Sequence, residues 1–149
     1  MDCNKLQRLP DALRLKLLNL QKLSVHSNNL SYLPSSISCL MSLRVLDVHM
    51  NKLRYLPEDI DNLVSLQILN VSCKFGNLNA LPDSICALCA LVELDASFNQ
   101  IKTLPDFIGG LVKLKRLNLE GNPLIRPPPE IVRDGLEAIK KYMSNRANK

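Results

Sequence analysis

Leucine, isoleucine and valine recur along this chain at a fixed spacing of 23 residues. The stretch from Leu20 to Ser42 reads LQKLSVHSNNLSYLPSSISCLMS, and the stretch from Leu43 to Ser65 reads LRVLDVHMNKLRYLPEDIDNLVS. Every apolar landmark of the first stretch returns in the second. A repeat of this length indicates a solenoid, in which each unit forms one coil of the chain.

Each unit contains two kinds of pattern. The segment LxxLxLxxNxL alternates apolar and polar residues at its centre, which is typical of a short strand with one buried side. The segment LPxxIxxL then returns the chain on the other side. Because proline fixes φ and lacks a backbone donor, we expect this return arm to be extended or one-turn helical structure. No unit can bury its own leucines, so the units must stack on a shared core, and the wide return arms should curve the stack.

The repeats assign the 149 residues to a single domain. A chain of this length can bury one core of useful size. A partial N-terminal unit over 1–19 is followed by units at 20–42, 43–65, 66–90, 91–113 and 114–128, and then by a capping helix over 129–146. The third unit is two residues longer than its neighbours. We expect a local bulge there, over Cys73 to Asn77.

An asparagine follows the predicted strand in the other full units, and its amide can donate to and accept from the backbone of neighbouring coils. These residues are predicted to form an internal ladder of Asn28, Asn51, Asn99 and Asn122. Lys74 takes this place in the third unit and has no acceptor atom. Either Asn77 closes the ladder after the two extra residues, or the ladder is interrupted there.

The two ends of the array differ. After three prolines, apolar residues recur at helical spacing, which predicts a helix that covers the last coil; they are Val132, Leu136, Ile139 and Met143. Gly135 lies inside this predicted helix, where we expect close packing. At the N-terminus a short helix around Leu13 to Leu17 is expected to shield the first coil only partly. We therefore expect marginal order over residues 1–20, or self-association through this N-terminal edge.

The net charge of +5 is concentrated at the two ends, with +3 in residues 1–25, +3 in 126–149 and −1 between them. Nucleic-acid binding would require a continuous basic stripe with stacking aromatics, so no nucleic acid is expected. No apolar run approaches the ~18 residues of a membrane helix, and the start does not resemble a signal peptide. These features favour a cytoplasmic protein that is not secreted and whose cysteines are reduced.

Three of the five cysteines, Cys73, Cys86 and Cys89, have spacings that raise the question of a metal or redox site. Cys73 follows a strand, whereas the other two lie on the return arm. Zinc needs four ligands, and a redox CxxC pair needs a helix N-terminus, so we expect neither a metal, a disulfide nor a cofactor. Phosphate-binding loops and the HExxH and GxSxG motifs are absent, and no enzyme is indicated.

The candidate functional residues are the strand side chains that point away from the core, since alternation fixes their side. They form three columns with Phe98 at the border: Lys22, Val45, Ile68, Glu93, Arg116; Ser24, Asp47, Asn70, Asp95, Asn118; and His26, His49, Ser72, Ser97, Glu120. His26 and His49 should be neighbours near Asp47, but further metal ligands are lacking. An open sheet offers no water-excluded pocket for catalysis, so we predict that these residues bind a protein partner.

The repeat residues resemble leucine-rich repeats of the Ras-group subclass. The irregular unit LNVSCKFGNLNALP and the terminal NPLIRPPPEIVRDGLEAIKKYMSNR resemble plant intracellular Ras-group-related leucine-rich-repeat proteins. The resemblance implies an α/β leucine-rich-repeat solenoid: a curved horseshoe with a parallel sheet on its concave face, an irregular, 3-10 or extended convex side, and a C-terminal capping helix.

The same resemblance implies an intracellular signalling scaffold or adaptor, with a small GTPase as one possible partner. Two alternatives remain. A regulatory subunit would bind through the N-terminal edge, and a hydrolase, which is less favoured, would need Asp47 or His49.

Overall fold

Five parallel strands of three residues each lie side by side in the order of the sequence. The computed structural model describes residues 3–13 and 17–147. The strands are β1 (Lys22–Ser24), β2 (Val45–Asp47), β3 (Ile68–Asn70), β4 (Glu93–Asp95) and β5 (Arg116–Asn118). Each of the five units from residue 20 to residue 128 contributes one strand, which confirms the predicted solenoid with a parallel sheet.

The return arms contain short 3-10 helices, at Ser35–Cys39, Ile60–Asn62, Asp83–Ala87 and Asp106–Gly110. Three of the four begin directly after the proline of the Leu-Pro pair, which pre-sets the backbone at the helix start. Each holds one isoleucine that is at most 1% exposed; these are Ile37, Ile60, Ile85 and Ile108. The predicted one-turn helical return arm is confirmed, and the wider arms stand behind the narrow strands.

One apolar core runs through all the coils. The central residues of β2, β3 and β4, which are Leu46, Leu69 and Leu94, are fully buried between residues that face outward. Full burial of such a leucine contributes about 1.5–3 kcal/mol. All the coils share this core, so each strand is held in register by its neighbours.

The predicted asparagine ladder is present on both sides of the third unit. The Asn51 amide donates to the carbonyl oxygens of Val25 (3.0 Å) and Val48 (2.9 Å), and its Oδ1 accepts from the Leu30 N–H (3.0 Å). The other three asparagines also donate to carbonyls of the strand turns. Each amide thereby pairs backbone groups that burial removes from water.

The third unit interrupts this ladder. Lys74 and Asn77 are both exposed, so Asn77 does not complete the asparagine ladder. Of the two predicted alternatives, the structure shows the interrupted ladder. The Cys73 thiol donates instead to the backbone oxygen of Asn51 (3.0 Å). The predicted irregularity takes the form of a turn, in which the Gly76 N–H donates to the carbonyl oxygen of Cys73 (2.9 Å).

The C-terminal segment departs from the predicted single helix over 129–146. It forms two helices, α1 (Pro129–Arg133) and α2 (Leu136–Ala147). Gly135 between them has φ +90°, a conformation that side-chain-bearing residues rarely adopt, and it redirects the chain. The expected close packing at Gly135 is wrong, because no atom lies within 4 Å of where a Cβ would stand.

Helix α2 covers the last coil, as predicted. Ile139 and Met143 are buried, and Val132 and Leu136 pack partly buried against the core. The Lys140 Nζ donates to the Leu114 carbonyl oxygen (2.9 Å). The close approach expected at Gly135 occurs at Gly109 instead, where a Cβ would stand 2.7 Å from the Lys140 carbonyl oxygen.

The described N-terminal residues continue the stack. The Cys3 N–H donates to the His26 carbonyl oxygen (3.1 Å), and the Leu6 N–H donates to Asn28 Oδ1 (3.0 Å). The Leu17 N–H donates to the Leu13 carbonyl oxygen (3.2 Å), but residues 14–16 of the predicted short helix lie outside the described residues. Marginal order over 1–20 and self-association through this edge stay predictions.

Candidate protein-binding face

The strand register brings the predicted columns together. Lys22, Val45, Ile68, Glu93 and Arg116 stand directly opposite one another on successive strands, and so do Ser24, Asp47, Asn70, Asp95 and Asn118. Backbone hydrogen bonds continue past the strand ends and align the third column, His26, His49, Ser72, Ser97 and Glu120. Neighbouring members are therefore about 4.8 Å apart. We call these three columns, with Phe98, the concave face.

One hydrogen bond recurs down the middle column. The side-chain Oδ1 accepts the backbone N–H two residues later at Asp47 (3.2 Å), Asn70 (3.1 Å), Asp95 (3.0 Å) and Asn118 (3.1 Å). This contact fixes the side chain at all four positions, and Asn118 Nδ2 also donates to Asp95 Oδ2 (3.2 Å). Side chains held in this way lose little conformational freedom when a partner binds.

His26 and His49 are neighbours, as predicted. Their rings stack with centroids 4.4 Å apart and planes 17° from parallel. His49 Nδ1 lies 2.6 Å from Asp47 Oδ1, and His26 Nδ1 lies 3.0 Å from Ser27 Oγ. Within residues 3–13 and 17–147, no three His, Cys, Asp or Glu side chains come together to hold a metal ion. The stacked rings form a flat surface beside the Asp47 carboxylate.

The first column is apolar at its centre and charged at its ends. Val45 and Ile68 are half-buried, and Lys22 is exposed on β1. Arg116 pairs with Glu93, with Nε 3.0 Å from Oε2. The Arg116 side chain is 71% exposed, so this pair contributes little to stability. It does neutralise Glu93 at that end of the face.

An apolar rim borders the third column. Met50 is 53% exposed, and Phe98 is 41% exposed with its ring against Gly121. Phe75, on the inserted turn, is 85% exposed and was not among the predicted contact residues. Its only sequence signal is its place in the two-residue insertion. Ser97 was predicted to be a contact residue, but it is only 3% exposed, and its hydroxyl donates to Asp95.

The cysteines differ in their surroundings. All five are free thiols. Burial and the neighbouring Asp83 carboxylate raise the pKa of Cys86 to about 11, which keeps it protonated at neutral pH. Cys73 donates its thiol to the Asn51 carbonyl oxygen.

Beside β4 and β5 lies an open depression of about 400 Å³, lined by Glu93, Asp95, Arg116, Asn118 and Leu136 among others. It opens on the concave face and adds surface for contact. None of the described helices is long and apolar enough to cross a membrane.

Comparison with known proteins places this geometry among repeat proteins. Residues 1–137 match the family model described as a leucine-rich repeat region. Plant intracellular Ras-group-related LRR protein 8 of Arabidopsis thaliana is 64% identical over 28 residues, which is 19% of this chain and 7% of that protein.

Solved structures agree with the family match. A leucine-rich-repeat protein of Leptospira interrogans aligns with a TM-score of 0.58 at 32% identity, over 80% of this chain and 36% of that one. A chain of the Drosophila Toll–Spätzle complex aligns with a TM-score of 0.72 at 28% identity, over 82% of this chain and 18% of that one. The chain thus spans only a small part of the length of each relative.

Proposed function

The chain belongs to the leucine-rich-repeat family, and we propose that it is a non-catalytic module that binds a protein partner on its concave face. The observation that carries the proposal is the middle column, in which four successive polar side chains are held by the same hydrogen bond. Such a pre-oriented surface suits recognition, because little order has to be gained on binding.

The architecture supports binding over chemistry. A stable interface needs about 800 Å² from each partner, and a sheet five strands wide with its rim can supply that area. A similar chain was solved as part of the Drosophila Toll–Spätzle complex. Most of the binding energy should come from a few residues, for which we propose His26, Asp47, His49, Asn70, Glu93, Asp95, Arg116 and Phe98.

We further propose that the module is a scaffold or adaptor in intracellular signal transduction, in the cytoplasm. The support is the similarity to a plant relative named intracellular and Ras-group-related. A small GTPase is the partner that this analogy suggests, and it rests on analogy alone.

The test is affinity purification with tagged wild type and an Asp47→Lys/Asp95→Lys variant. A matched control reverses two exposed acids of the return arms, Glu58→Lys/Asp83→Lys, with the same total change in charge. We expect specific partners to be lost with the first variant and kept with the second. Partners kept by both variants would refute concave-face binding and favour the alternative, a regulatory subunit that binds through its N-terminal edge.

A further inference from the structure

We infer that the concave face takes a basic segment of its partner that also carries an apolar side chain. The cationic groups of this segment would lie on Asp47 and Asp95. The apolar group would lie on the rim formed by Met50, Phe75 and Phe98. This inference rests on the proposed function and names the chemistry of the partner.

The first argument is charge. The chain as a whole carries +5, yet the concave face holds four carboxylates against the two cations Lys22 and Arg116. Arg116 is engaged with Glu93, and Lys22 lies on β1 at the far edge. Among the residues that the structure describes, no lysine or arginine pairs with Asp47 or Asp95. The centre of the face is therefore negative on a positive protein, and it favours cationic segments over acidic ones.

The second argument is spacing. Asp47 and Asp95 stand two strands apart, which is about 10 Å. Three residues of extended chain, or two turns of helix, span the same distance. Between the two carboxylates, Asn70 uses its Oδ1 for Ser72 and leaves an amide that can donate to a backbone carbonyl. The face thus offers two sites for cations with a hydrogen-bond donor between them.

The third argument is the rim. Met50, Phe75 and Phe98 come from three successive units and are all exposed. The repeat does not require Phe75, because the other units close without the two inserted residues. The Lys74 ammonium lies 5.9 Å from the centre of its ring, and the side chain still remains 85% exposed. Aromatic side chains of this kind are frequent anchors of protein interfaces.

The experiment uses a phage-displayed library of random 12-residue peptides, selected on the full chain at low salt. Selected peptides are then measured against wild type, Asp47→Asn/Asp95→Asn and Phe75→Ser. The asparagine variant copies Asn70 and Asn118, which already make the same Oδ1 contact, so the fold should persist. The reciprocal Asn70→Asp/Asn118→Asp variant adds two carboxylates to the same column.

We expect peptides rich in Lys or Arg around one large apolar residue. Affinity for the peptide should fall about tenfold in the asparagine variant, because each of the two lost charge pairs is part-exposed and should raise the affinity roughly threefold. It should fall in Phe75→Ser, rise in the reciprocal variant and weaken with salt. Neutral or acidic peptides that bind the concave face, as shown by loss of binding in Ile68→Arg, would overturn this inference alone. Peptides that bind elsewhere, or no binders at all, would overturn the proposed function as well.

Discussion

Two adjacent glycines, Gly109 and Gly110, give a sharp test of how the terminal helix is attached. Both end the last 3-10 helix, and only the first faces α2. A Cβ on Gly109 would meet the Ser144 hydroxyl and would stand 2.7 Å from the Lys140 carbonyl oxygen, whereas a Cβ on Gly110 meets nothing within 4 Å. Alanine should therefore destabilise the protein at Gly109 and not at Gly110.

The expected magnitude follows from these contacts. The Ser144 hydroxyl can rotate away, but the Lys140 carbonyl belongs to the helix backbone, so α2 would have to move by several tenths of an ångström. That shift would loosen Ile139 and Met143, which are buried against the last coil. Overpacking of this kind typically costs about 1–3 kcal/mol. Alanine also lowers the conformational entropy of the unfolded chain, which offsets about 0.4–1 kcal/mol of that loss. Gly109→Ala should lower the free energy of unfolding by about 1–2 kcal/mol, and Gly110→Ala should leave it unchanged or slightly raise it.

Urea unfolding followed by circular dichroism measures both variants against wild type. The double variant Gly109→Ala/Ser144→Ala should recover only part of the loss, since the carbonyl contact remains. Equal effects at the two glycines would refute this account of the attachment. So would full recovery in the double variant, which would make the serine the whole obstacle.

Four further outcomes follow from the structure. Asn99→Ala removes an amide that donates to three carbonyls in a buried site, so it should lower the free energy of unfolding by about 1–3 kcal/mol. The control is Asn77→Ala at an exposed position, which should change the free energy of unfolding by less than about 0.5 kcal/mol in the same urea titration. With its pKa raised from 9.0 to about 11, Cys86 should be alkylated by iodoacetamide at pH 9 far more slowly than exposed Cys3 or Cys89, as peptide mass mapping would show. Because the neutral thiol is the form favoured by folding, its contribution to stability should be complete below pH 9 and lost as pH rises through 11. Replacing Lys74-Phe75-Gly76 by one asparagine restores the 23-residue spacing. This variant should have a higher melting temperature than wild type and should bind peptides more weakly at the rim. A lower melting temperature would contradict the interpretation that the insertion costs stability.

The register of the concave face could be predicted from sequence because two periods constrain it together. The 23-residue repeat assigns Asp47 and Asn70 to the same place in successive coils, and the two-residue period of a strand assigns both to the outer side. A slip of one residue would bury these polar groups and expose Leu46 and Leu69, so the core itself enforces the alignment.

The capping segment was harder to predict because apolar spacing alone does not show a break. Val132 and Leu136 are four residues apart, which fits one continuous helix, and a glycine between them reads equally as a weak helix residue or as a helix end. In the structure the first helix ends before Gly135, which has φ +90°. Ser97 was predicted to be a contact residue but is buried, and the exposed Phe75 was not predicted, for a related reason: a repeat defines the side on which a residue lies but not how far its neighbours cover it.

The third unit differs from its neighbours in several ways that follow from one change. The two inserted residues displace the asparagine, and an unpaired buried backbone group typically costs about 1–3 kcal/mol. The Cys73 thiol, a weak donor, takes up the Asn51 carbonyl at this place. The same insertion holds Phe75 in solvent beside Phe98, whose carbonyl accepts the Gly76 N–H (3.1 Å). Stacking of the coils does not require an exposed Phe75, and this is why the proposed contact surface includes the third coil.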